Sequence, residues 1–177
     1  MTAVLPPVTV QPRDRLWNPS VGPTEYGDNA QAYQAAILEQ YKIYVEMADR
    51  ISQRRGLTNT FFLTLNTLIF TGIGVVWSNR PDVASAAVLL PLVAVLGECA
   101  AWFYLVRSYS LLNTAKYKVV GALEERLPAS PYWAAEWVSL GEGRDWRKYW
   151  PLTHIEKWIP VLFAAAYLAG GLILLGG

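Results

Sequence analysis

Glu98 is the residue whose chemistry asks for an explanation first. It stands in "VAVLGECAAWFYLVRSYS", residues 93–110, nine positions from the nearest charge, Arg107. At about 1.5 Å per residue, that is roughly 13 Å of uncharged helix. A charge at bilayer depth costs about 2.5–3.5 kcal/mol on insertion scales, so Glu98 is expected to face protein or water, or to be protonated. Asn66, eleven residues beyond Arg55 in an earlier apolar run, reaches a similar depth if the two runs are antiparallel helices. Thr64 and Thr67 add hydroxyls to that run, and such a polar set amid Phe, Leu and Ile marks an interior or interhelical surface. Three chemistries stay open. Glu98 is a neutral acid joined to Asn66 that holds two helices in register, or it lines a pore formed by several copies, where an acidic ring favours cations. The third is proton-coupled transport, for which the chain is too short to hold inverted repeats unless it oligomerises.

The other reactive side chains offer little. Cys99 is the single cysteine, and beside Glu98 in an apolar helix it reads as small packing filler. His154 is the single histidine; with no acidic or metal-binding neighbour in sequence it reads as an interfacial residue rather than a pH sensor. The stretch "GEGR", residues 141–144, lacks the spacing of a phosphate-binding loop and a preceding strand. Scattered carboxylates, one His and one Cys assemble none of the usual catalytic sets, so the expectation is no enzyme, no metal and no cofactor.

The elements that position Glu98 follow from composition. Of 177 residues, 53% are apolar and 16% charged, against roughly 25% charged in soluble domains. Residues 57–77, about 83–106 and 158–175 are long enough to cross a hydrocarbon core of about 30 Å. Trp77 suits an interface. Pro81 and Asp82 read as the start of the second helix, and Thr153 with Glu156 as the capping box of the third. Pro160 lies where it could bend that helix. A net charge of +1 and no RNA- or DNA-binding signature argue against nucleic acid. Six Lys or Arg precede the first span, eight lie between the second and third, and only Arg80 lies between the first two. The positive-inside rule then puts the N-terminus and the long middle segment in the cytosol and the C-terminus outside, in a bacterial inner membrane.

The fold expected is an all-α membrane protein with three transmembrane helices and two long helices extending into the cytosol, packed as an antiparallel hairpin. Residues 1–28, with five prolines, read as an irregular or disordered tail without a secretory signal or lipidation motif. Residues 29–56 form a cytosolic amphipathic helix, capped by Asp28 and Gln31, with Ile37, Tyr41, Tyr44, Ala48 and Ile51 on one face. Residues 57–108 are a transmembrane hairpin. Residues 109–127 continue the second helix with Leu112, Val119, Leu123 and Leu127 on one face. Tyr41, Tyr44, Arg50, Arg54 and Arg55 are candidates for a partner-facing surface. Residues 128–152 are aromatic and then basic, which suits the headgroup level, with Trp146, Trp150, Arg144, Arg147 and Lys148 near lipid phosphates; a ligand pocket is the alternative. Residues 153–177 are the C-terminal span.

"YKIYVEMADRISQRR" (41–55) leading into "NTFFLTLNT" (59–67), then "LGEG" and "RKYWPLTHIE" before a last span, resembles a group of small bacterial integral membrane proteins. The plan, over about residues 30–175, is similar to the SLATT-type membrane effectors, whose core has two spans and to which the third is additional here. The resemblance implies a channel-forming or membrane-perturbing effector of an antiphage system, held off until a cytosolic sensor or nucleotide-signalling protein triggers it. Membrane lipids and further copies of the chain are the other expected partners. A membrane anchor that recruits a soluble enzyme is the competing function.

Overall fold

The computed structural model of the chain describes residues 12–27, 29–79, 85–145, 147–149 and 152–176; for 77, 79, 85–87, 153, 175 and 176 it describes the backbone alone. The expectations placed on Asp28, Arg80, Pro81, Asp82, Trp146 and Trp150, and on the Trp77 and Thr153 side chains, lie outside what is described. Among those described, every regular element is helical: α1 (Pro12–Leu16), α2 (Ala30–Asn79), α3 (Ser85–Glu124), α4 (Trp137–Ser139) and α5 (Leu152–Gly176), with short 3-10 turns at Pro23–Tyr26 and Gly141–Gly143 and a π-helical turn at Pro131–Glu136. Three helices are long and apolar enough to cross a membrane, with mean hydropathy of 1.5, 1.9 and 1.7 in their most apolar windows. Only 6%, 17% and 17% of those windows is buried. This much apolar surface has no cover among the described residues, which suits hydrocarbon surroundings or further copies.

Packing divides the chain into two units, Met1–Asp49 with Asn113–Lys148, and Arg50–Leu112 with Tyr149–Gly177. Helices α2 and α3 contribute to both. In the first unit Ile37, Ala48, Val120, Ala122 and Leu123 are buried, the apolar stripes of the amphipathic segments. Polar contacts flank them: Tyr41 Oη donates to Glu124 at 3.1 Å, Arg126 Nη1 to Tyr33 Oη at 2.9 Å, and Lys116 Nζ lies 4.9 Å above the Tyr44 ring. The expected irregular tail holds a short helix, begun by Pro12, whose fixed φ suits a first helical position. Trp17, just after it, lies 3.5 Å beneath the Arg126 guanidinium, a cation–π contact that fixes the tail to its own unit.

In the second unit Val95, Cys99, Trp102, Val106 and Tyr167 are buried. Helix α5 runs through Pro160 without interruption, and that proline is buried. At Gly171 α5 passes close to the Leu92 side chain of α3, since a Cβ there would stand 2.8 Å from Leu92 Cδ2.

Candidate functional site

A polar seam joins α2, α3 and α5 inside the second unit, with Asn66 at its hub. Asn66 is fully buried, and a buried amide must place both ends of its side chain on partners. Its Nδ2 donates to Glu98 Oε1 at 2.7 Å and to its own helix at Phe62 O, 2.9 Å. Its Oδ1 accepts the Cys99 thiol at 3.6 Å, and its main-chain oxygen accepts Tyr167 Oη at 3.2 Å. Two turns earlier, Asn59 Oδ1 accepts Trp102 Nε1 at 2.9 Å. The buried Trp102 indole stacks on Phe62, centroids 5.6 Å apart and rings 9° from parallel. Where α5 begins, Arg55 and Glu156 form an ion pair at 3.3 Å, so Glu156 is engaged with α2.

Glu98 is the incomplete member. It is half-buried, and its Oε1 holds the Asn66 amide while its Oε2 has no partner among the described residues. Small exposed residues flank it on α3: Ala94, Gly97 and Ala101. Each leaves room for a second helix to approach the carboxylate closely.

Thr64 and Thr67 stand outside the seam. Both are exposed, and Thr67 Oγ1 donates back to Leu63 O at 2.7 Å, a bond within its own helix. Asn59, Trp102 and Tyr167 belong to the seam but were not singled out by sequence. Asn59 precedes Asn66 by seven and Trp102 follows Glu98 by four, spacings that share a helix face and could have flagged the first two.

The first unit holds a second, differently built carboxylate. Glu124 is 1% exposed and accepts four bonds: Tyr41 Oη at 3.1 Å, Ser130 Oγ at 2.7 Å, Tyr132 N at 3.1 Å and Trp133 N at 2.9 Å. The last three gather the free N–H groups and cap of the π-helical turn, which Ser130 begins and Pro131 follows. Helix α3 ends at this carboxylate, and Gly121 one turn back makes room for the Trp133 ring, whose atoms would lie 2.9 Å from a Cβ there.

Of the other residues proposed from sequence, Tyr41 and Tyr44 make the internal contacts given above, and Arg55 is largely enclosed with Glu156. Arg50 and Arg54 are exposed on α2. Arg144, Arg147 and Lys148 are exposed; Arg144 pairs loosely with Glu142 at 3.8 Å, and the Arg147 main-chain N–H donates to Asp145 at 3.1 Å. They follow a tight turn in which Gly141, Glu142 and Gly143 all have positive φ. No group of three His, Cys, Asp or Glu among the described residues stands where it could hold a metal.

A family model described as the octameric membrane protein family, 8xMP, matches residues 38–176. The match takes in nearly all of α2 and the whole of α3 and α5. It gives a membrane protein family, the coarse part of the resemblance read from sequence, and does not name SLATT. No curated protein and no solved structure matches the chain.

Proposed function

Because this chain belongs to the octameric membrane protein family, we propose that it works as a homo-octamer in the bacterial inner membrane. In this reading it is a non-enzymatic effector that makes the bilayer permeable when a cytosolic partner or nucleotide signal releases it. The observation that carries the reading is Glu98. Its second oxygen has no partner among the described residues, it lies in an apolar span, and a carboxylate left against lipid is the least tolerated arrangement. Contact with neighbouring copies, or with water enclosed by them, removes that conflict, and a ring of eight such carboxylates favours cations. The SLATT-like plan supports a defence role. The basic-residue count supports a cytosolic N-terminus and an external C-terminus. Residues 30–49 and 113–127 are read as an antiparallel hairpin, supported by the pairs Tyr33–Arg126, Tyr41–Glu124 and Tyr44–Lys116, which run in opposite sequence order.

A second reading, a membrane anchor that recruits a soluble enzyme, draws support from Trp133, Trp137 and Val138, exposed by 45%, 37% and 55%. Planar bilayers separate the two. The purified chain with its trigger is expected to conduct with a cation-selective reversal potential in a KCl gradient, and Glu98→Gln to lose most of that selectivity with the copy number unchanged. Octamers that never conduct would leave the anchor; equal selectivity in both forms would remove Glu98 from the route.

A further inference from the structure

The first unit holds a hollow of about 290 Å³ between α1 and the last turns of α3. Pro12 and Arg13 of α1 form one wall, Lys118, Gly121, Ala122 and Glu125 the floor, and Trp133 of the π-helical turn a second wall. Gly121 keeps the floor low, and the Trp133 ring stands directly on it. Helix α1 has no buried residue, so it borders the hollow instead of filling it. The segment is pinned farther along, where Trp17 lies 3.5 Å beneath the Arg126 guanidinium, which also donates to Tyr33 Oη. Residues 12–17 are thus a strap, tethered at one end and carrying Arg13 to the hollow at the other.

Three charged side chains line this hollow, and none pairs with another across it. Lys118 and Glu125 make no side-chain ion pair or hydrogen bond among the described residues, and Arg13 has only a loose contact with its neighbour Asp14, at 4.0 Å. Lys118 and Glu125 stand two turns apart on one face of α3, about 10 Å by helix rise. A simple anion drawn to Arg13 and Lys118 leaves Glu125 opposing it, and a simple cation drawn to Glu125 meets two like charges. A ligand carrying both signs satisfies all three, and methylenes between its charges suit the Trp133 face. The volume is close to the lower bound of roughly 300 Å³ for small-molecule pockets, so the ligand is small.

We propose that this hollow binds a small zwitterion, a phosphate or carboxylate joined by a short apolar link to an amine that carries N–H, and that binding draws the α1 strap against α3. The anion bridges Arg13 and Lys118, one cation from each side, and the amine donates to Glu125. All these groups belong to one chain, so the site depends neither on the number of copies nor on conduction. The test uses the full chain in mild detergent, with phosphoethanolamine as the probe. Isothermal titration calorimetry should give saturable binding, tighter than for inorganic phosphate, which lacks the amine, or for phosphocholine, whose nitrogen has no N–H. Tryptic cleavage after Arg15, inside the strap, should slow as the probe saturates. Lys118→Gln should weaken binding about tenfold, the loss of one charge-assisted hydrogen bond. Glu125→Gln should erase the preference for phosphoethanolamine over phosphocholine while phosphate still binds, and Arg13→Gln should remove the protection at Arg15. Arg13, Lys118 and Glu125 are exposed, and helical circular dichroism checks that each variant stays folded. Protection at Arg15 in phosphatidylethanolamine nanodiscs but not in phosphatidylcholine ones, with no free compound bound, would support the same chemistry on a lipid headgroup. No binding of phosphoethanolamine and no difference between the nanodiscs would overturn the site. Binding that Lys118→Gln and Glu125→Gln leave unchanged would place the ligand elsewhere and overturn it too, and binding without protection at Arg15 would overturn the closure.

Discussion

Glu124 in the first unit and Glu98 in the second are the same side chain at two levels of satisfaction. Glu124 is buried with four donors on its two oxygens, and a network with every lone pair engaged fixes geometry and has nothing left to offer a partner. Glu98 is half-buried with one donor among the described residues. The contrast separates a finished contact from an open one. The carboxylate that closes the fold is completed within the chain, and the one in the apolar helix keeps an oxygen without a partner among the described residues.

Removing acceptors from the finished site should hurt most. Glu124→Gln replaces an oxygen that takes N–H and O–H donors by an amide nitrogen that can only repel them, and the loss expected is on the order of 3 kcal/mol. Thermal unfolding in mild detergent reads it, together with faster proteolysis between residues 125 and 145. If Glu124→Gln melts with the wild type, the two carboxylates do not differ as described. Gly121→Val comes next, at about 1–3 kcal/mol, because its side chain must displace the Trp133 ring; intrinsic tryptophan fluorescence should shift along with stability. Tyr41→Phe deletes one of the four donors to Glu124 and should cost about 1.5 kcal/mol. Glu98→Gln should sit below all of these in protomer stability, under about 1 kcal/mol, since an amide still bonds Asn66. A larger loss would mean that Glu98 is as structural as Glu124.

The smallest effect belongs to a third carboxylate, fully exposed. Glu25 accepts the Gly22 main-chain N–H at 2.6 Å and the Thr24 hydroxyl at 3.0 Å, and the Gly22 N–H above all holds its carboxyl below the ordinary value of 4.5. A depressed acid contributes order that is present above the unfolded value and fades as pH falls through the folded one. Protection of the Gly22 amide, taken against its intrinsic exchange rate at each pH, should therefore hold at neutral pH and fall only below about pH 4.5. The same fall in protection in Glu25→Gln would separate that order from the carboxylate.

The spans were legible in sequence because hydrocarbon imposes length and charge rules on any helix that crosses it. The depth of the seam was legible for the same reason: counting from Arg55 and Arg107 put Asn66 level with Glu98, and the two side chains lie 2.7 Å apart. Glu124 was not. It follows Val119–Leu123 in an apolar stripe, where a final glutamate reads as a solvated helix end. Its burial depends on residues 125–130 turning back so that the N–H groups of Tyr132 and Trp133 reach it, a tertiary event with no period in the chain. The Ser130–Pro131 pair was the available clue, a cap residue before a first-turn proline. Thr64 and Thr67 make no contact of the seam among the described residues, and Thr67 bonds Leu63 O on its own helix.

If other copies complete the spanning unit of a single chain, the protein leaves the bilayer as an assembly. Mass spectrometry of the intact wild-type protein released from lipid nanodiscs measures this directly. Eight copies of the 19.7 kDa chain are predicted as the dominant species. A folded, monodisperse monomer in nanodiscs and in every mild detergent would contradict it.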